Sequence, residues 1–214
     1  MRTALVLGLL ATVANAYLGF DAIQSMSVAT LQCLHNNGYR FYVARVWESI
    51  GRIDSTGFQN IKNAHAAGFP YVDGYVFPCH KSGCASPANQ IAAAIDSIHS
   101  NGVKIGTLWL DIETQDWPGD HNTNRNFITA MANEAIAKGV TVGVYTNPHN
   151  WGTIVGNDWT GMAKHPLWWA NWSGQQNFNG FTAFGGWTKP AIRQYSGDIH
   201  GPCGVSMDQN WYPG

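Results

Sequence analysis

The run Leu108-Trp109-Leu110-Asp111-Ile112-Glu113 places two carboxylates two positions apart in an otherwise apolar segment. Side chains of an extended strand alternate between its faces, so Leu108, Leu110 and Ile112 point one way and Trp109, Asp111 and Glu113 the other. Acids at i and i+2 lie roughly 7 Å apart at the backbone, close enough for one to perturb the other or for both to flank a glycosidic bond. The chemistry this suggests is hydrolysis by general acid catalysis. Glu113 would protonate the leaving oxygen, its pKa raised by the charge at Asp111 and by Trp109 on the same face. Asp111 would stay ionised, to stabilise an oxocarbenium ion, orient a 2-acetamido group or activate water. The plain alternative is a pair of surface residues on an ordinary strand.

Such a pair acts only if other elements bring more groups to it. Strand-like runs at 17–23, 39–47, 71–78, 104–112 and 141–147 alternate with helical patterns at 27–36, 55–67, 86–100 and 122–138, the pattern of βα units around a parallel sheet. Gly38, Gly68, Gly102 and Gly139 stand where left-handed helix caps belong, and Ser86-Pro87 reads as an N-cap followed by proline at the first helical position. Beyond Tyr145 come a short helical segment near 149–155 and three further strand candidates at 167–172, 191–196 and 205–211. Eight strands suffice for an α/β fold of the TIM-like barrel type, five βα units closed by three more strands. Barrel enzymes carry their chemistry at the C-terminal ends of the strands. Asp111 and Glu113 end the fourth run, Asp21 ends the first and Asp208 lies late in the last. Closure makes the first and last strands neighbours, so four acids converge. Strand parity places Asp73, Tyr75 and Phe77 on one interior face, and Phe41, Val43, Arg45 and Trp47 on another. Arg45 is then either a buried counter-ion to the acids or an outward residue at a helix end.

Arg2, the apolar run 4–13 and Ala14-Asn15-Ala16 form a signal-peptide pattern, which puts the mature single domain at 17–214 and the protein outside the cell or in the lysosomal-phagosomal system. No later run reaches the roughly 20 apolar residues of a membrane helix. Charged residues make up 12% of the chain and the net charge is -1, which argues against nucleic-acid and anionic-membrane partners. The 10 Trp, 8 Tyr and 9 Phe exceed what a core of this size requires; stacking on sugar rings is one use, core packing the other. Four cysteines in an exported chain read as two disulfides. Cys79 and Cys84 flank a tight loop and pair first, leaving Cys33 with Cys203. A metal site at Cys79-His80 and Cys84 lacks further ligands, so neither metal nor cofactor is expected. There is no Gly-x-Ser-x-Gly elbow, His-Glu-x-x-His or phosphate-binding glycine loop, and none of the eight histidines is assigned a catalytic role. Asn171-Trp172-Ser173 is a glycosylation sequon whose occupancy would obstruct a groove at the barrel mouth.

An ordered set of motifs spans the mature chain: Gly19-Phe20-Asp21, Asp73 to Cys79, Leu108 to Glu113, Val142 to Tyr145, Leu167 to Ala170, Phe184 to Pro190, Gln194-Tyr195 and Met207 to Asn210. In these the chain resembles the glycoside hydrolase family 25 lysozymes, in particular the amoeba and nematode type. The resemblance implies a flattened (β/α)5(β)3 barrel that cleaves the β-1,4 bond between N-acetylmuramic acid and N-acetylglucosamine in bacterial peptidoglycan, for defence or digestion; a monomer is expected. It places the general acid on Glu113, its paired carboxylate on Asp111 and the flanking acids on Asp21 and Asp208. Tyr75, Tyr145, Trp168 and Gln194 become groove residues. Family 18 chitinases are a second reading, but their motif wants an aspartate where Trp109 stands. A barrel that binds glycan in immune signalling without cutting it is the third.

Overall fold

The computed structural model describes residues 16–214; the signal-peptide pattern over the first residues lies outside them, apart from Ala16. Strands β1 (Tyr17–Asp21), β2 (Tyr39–Glu48), β4 (Tyr71–Val76), β5 (Thr107–Asp111), β6 (Thr141–Thr146), β7 (Leu167–Ala170), β8 (Ile192–His200) and β9 (Ser206–Tyr212) form a closed ring, and β3 (Arg52–Ile53) hangs outside on β2. Pairing is parallel from β1 through β8 and antiparallel where β9 joins β8 and β1. This is the eight-stranded α/β barrel of the sequence reading, with β3 as the unforeseen addition.

Helices α1 (Val28–Asn36), α2 (Ser55–Ala66), α3 (Pro87–Ser100), α4 (His121–Ala137) and α5 (Pro148–Ile154) each begin on a side chain that accepts from a first-turn amide: Ser27, Asp54, Ser86, Asp120 and Asn147. These caps satisfy donors that the helix geometry leaves orphaned. The four anticipated capping glycines all have positive φ. Leu108, Leu110 and Ile112 join the layer between sheet and helices, whereas Phe41, Val43, Trp109, Trp168 and Ile192 fill the barrel. Two inward glycines make room for large rings: a Cβ at Gly19 would fall 2.3 Å from the Phe41 ring, and one at Gly143 would fall 2.3 Å from Trp109.

One expectation of parity fails on β2. The register shifts between Arg45 and Trp47, so the bulge turns Trp47 out of the barrel, where its indole N–H donates to Gln90 on α3 at 3.0 Å. An extra residue in a strand moves everything beyond it to the opposite face. Cys33–Cys203 and Cys79–Cys84 are the two disulfides, as expected, and they remove the thiolates a metal site would have needed. The first ties α1 to a 3-10 turn (Pro202–Gly204) ahead of β9. No helix among the described residues is long and apolar enough to cross a membrane.

Candidate active site

The C-terminal ends of the parallel strands, together with the N-terminal start of the antiparallel β9, where Asp208 lies early in its strand and not late, surround a cleft of about 430 Å³ lined by Asp21, Asp111, Glu113, Asp208, Tyr75, Tyr145, Trp168 and Gln194. Every residue selected for the site from the sequence therefore faces one space. Asp21 and Asp208 are direct cross-strand partners of β1 and β9. The segment carrying Glu113 is clamped from three sides: Ile112 N–H donates to the Tyr145 carbonyl at 2.9 Å, Thr146 Oγ1 donates to the Ile112 carbonyl at 2.7 Å, and Trp117 Nε1 donates to the Glu113 carbonyl at 2.9 Å. His80 packs against Trp117, tilted by 38° with 3.6 Å between ring centroids.

Polar contacts differ sharply among the four acids. Asp21 Oδ1 accepts from Asn210 Nδ2 at 2.7 Å and from Gln194 Nε2 at 3.1 Å. Asp208 accepts from the Asp198 N–H at 2.6 Å and from Gln194 Nε2 at 3.3 Å. Asp111 is 7% exposed and its Oδ1 has no hydrogen-bond partner. Glu113 is half-buried.

Burial raises all four, and the charge of a neighbouring carboxylate adds to it in each. Burial, then the charge of Asp208, pushes Asp21 up to about 8. Asp111 lies well above the usual carboxylate range, through burial first and then Glu113 and Asp21. Glu113 is raised by burial and by Asp208, and Asp208 chiefly by burial. Two features differ from the sequence reading. Trp109 does not line the cleft; it packs inside the barrel with its indole N–H on Asp73 Oδ2 at 2.9 Å, and the charge that raises Glu113 is that of Asp208 across the mouth. In the free site burial raises Asp111 as well, and its unpaired buried Oδ1 makes the carboxylate costly to charge there, which the spacing of the pair does not show.

A family model described as "Lysozyme-like protein 1" matches residues 12–195. The "Probable GH family 25 lysozyme 4" of Dictyostelium discoideum is 41% identical over 199 residues, 93% of this chain and 92% of its own. The chain belongs to the family 25 lysozymes. It is a glycoside hydrolase. "Lysozyme-like protein 5" of Caenorhabditis elegans is 49% identical over 195 residues, 91% of each chain. The family GH25 lysozyme structure from Aspergillus fumigatus superposes with a TM-score of 0.75 at 20% identity, covering 94% of this chain and 95% of that one, which shows the shared fold.

Within this family 25 chain, three side chains behave otherwise than their residue types suggested. Trp168 is 2% exposed, with its N–H on Asn210 Oδ1 at 2.8 Å, and supports the floor more than it meets solvent. Arg45 lines the cleft, yet its Nε pairs at 2.8 Å with Asp54, the N-cap of α2, rather than with a cleft acid. Both alternatives for Arg45 were thus half right. Asn171 of the sequon lies just past β7 and does not line the cleft; its Oδ1 accepts from Arg193, so its side chain is not aimed into the groove.

Asn210, Asp198 and Trp172 were missed. Asn210 sits two residues beyond Asp208 on the same strand face, a parity signal that was available. Asp198 contributes a backbone N–H from a left-handed position, φ 53, which no side-chain pattern reveals. Trp172 was visible only as the middle of a sequon.

Proposed function

We propose that this enzyme hydrolyses the β-1,4 bond between N-acetylmuramic acid and N-acetylglucosamine in bacterial peptidoglycan, with Glu113 as proton donor. The observation that carries the proposal is the meeting of four acids from three strand ends in one open cleft, among which Glu113 is both half-buried and reachable. Cleavage requires a carboxyl that is still protonated near neutrality, and burial beside Asp208 supports that state in Glu113.

Asp111 takes the part of the electrostatic partner once substrate arrives. Its Oδ1 is an acceptor without a donor, and the N–H of a 2-acetamido group is a donor of the right kind. Accepting that hydrogen bond, and facing the positive charge that develops at the anomeric carbon, both favour the ionised form. Asp21 and Asp208, tied together by Gln194, set the field on the opposite side of the cleft.

Two disulfides support folding in an oxidising compartment, and secretion or delivery to a phagosome or lysosome, for defence against bacteria or their digestion, follows as part of the proposal. Four acids with raised pKa values favour activity on the acidic side of neutrality; a pH-rate profile peaking well above pH 7 contradicts it. The direct test is clearing of bacterial cell walls by the wild type and Glu113→Gln. The variant should keep its melting temperature and lose at least about a hundredfold in rate, while muramic acid appears at the new reducing ends in the wild-type digest. Full activity in Glu113→Gln removes the acid assignment, and N-acetylglucosamine at the reducing end removes the bond assignment.

A further inference from the structure

Trp172 is 56% exposed on the wall of the cleft, an unusual position for an indole. It does not hang free. Its ring is seated over Gly197, where a Cβ would fall 2.2 Å from a ring carbon, and its N–H donates to Gln194 Oε1 at 2.8 Å. Gln194 is 1% exposed, and the same Oε1 accepts from Tyr145 at 2.8 Å. Two donors on its oxygen fix the amide orientation, so its Nε2 must face Asp21 and Asp208.

The irregular stretch of β8 serves both ends of this chain of contacts. Register shifts lie between Gln194 and Ile199; within them Gly197 sits against the indole, and Asp198 is in the left-handed region, from which its N–H reaches Asp208. On the outer side of the same strand the buried Arg193 guanidinium donates to the Asn171 carbonyl and to Ser173 Oγ, holding the residues on either side of Trp172.

We infer that Trp172 is a glycan-stacking residue of the cleft, offering its free face to the apolar face of a pyranose ring and, through Gln194, setting that sugar in register with Asp21 and Asp208. An aromatic ring with one face packed and the other in water is a platform for a flat, partly apolar ligand. Its N–H is already spent inside the protein, so the ring recognises a sugar by its face and not by a hydrogen bond. The inference rests on the peptidoglycan reading above for the identity of the glycan.

The test separates ring from N–H. A soluble tetrasaccharide of alternating N-acetylglucosamine and N-acetylmuramic acid is titrated calorimetrically into Glu113→Gln and into the same variant carrying Trp172→Ala or Trp172→Phe, and hydrolysis is followed in the singly substituted Trp172 variants. Loss of the ring in Trp172→Ala should weaken binding and raise KM about tenfold. Trp172→Phe keeps a ring and loses the N–H: affinity should stay within about threefold while kcat falls, because Gln194 loses one of its two fixing donors. Equal affinity with and without the ring, in a protein whose wild type clears cell walls, overturns the tryptophan assignment and leaves the function standing. Absence of both clearing and tetrasaccharide binding overturns the peptidoglycan reading and this inference with it.

Discussion

Asp21→Asn should make this protein more stable while impairing the site. In the unfolded chain the Asp21 carboxyl ionises near 3.8, whereas in the folded cleft it holds its proton up to about 8. Folding at pH 7 therefore takes up a proton, against a cost of about 1.36 kcal/mol for each of the roughly three pH units between 3.8 and 7, or about 4 kcal/mol. Partial contact with cleft water screens the charge and halves this to about 2 kcal/mol. An asparagine carries no such cost, and both hydrogen bonds to Asp21 go to Oδ1, which an amide oxygen in the same place can accept. A gain of about 2 kcal/mol is about 4–8 °C in melting temperature for a chain of this size. The direction with pH is fixed by the raised carboxyl: the folded state binds the extra proton, so wild-type stability from this group is intact below about pH 4, declines as pH rises and levels off above about pH 8. Thermal unfolding of both proteins across pH 4 to 8 should show a gap that is widest at the alkaline end and closes toward pH 4. A variant less stable than wild type at pH 7, or a gap that does not change with pH, refutes the reasoning.

Three further outcomes follow from packing and covalent structure. Gly143→Ala drives a methyl to within 2.3 Å of Trp109 inside a filled barrel and should cost about 2 kcal/mol, read as a lower denaturant midpoint with an unchanged slope. Replacing Cys33 and Cys203 by serine releases a loop with a sequence separation of 170 and should cost about 5 kcal/mol, against about 2 kcal/mol for Cys79 and Cys84, whose separation is 5; equal losses in chemical denaturation would contradict the loop-length argument. Arg193 donates to five oxygens, among them the carbonyls of Asn177 and Asn179. Arg193→Lys cannot span that set, so it should lose about 2–4 kcal/mol and speed amide exchange across residues 171–179.

The elements were legible because period and caps are local properties. Leu108, Leu110 and Ile112 against Trp109 and Asp111 obey strand alternation, and Ser86-Pro87 opens α3 where predicted. The bulge before Trp47 was not legible, since nothing in Arg45-Val46-Trp47 distinguishes a shifted register from a regular one, and β3 is too short to leave a pattern. Which of the paired acids carries the charge was not legible for a related reason: spacing along a strand says that two carboxylates are near each other but not how much water each retains.

Residue order was enough to settle which runs carry the acids, which cysteines are available to pair and that eight strands need closure, because each depends on nearest neighbours and chain count. Which acid keeps its proton, what holds Gln194 in one orientation and why Trp172 faces the cleft depend on groups far apart in the chain. Asp21 and Asn210 are 189 residues apart yet share a hydrogen bond of 2.7 Å. Desolvation and hydrogen-bond geometry are properties of a closed space, and that space exists only once β9 has sealed the ring between β1 and β8.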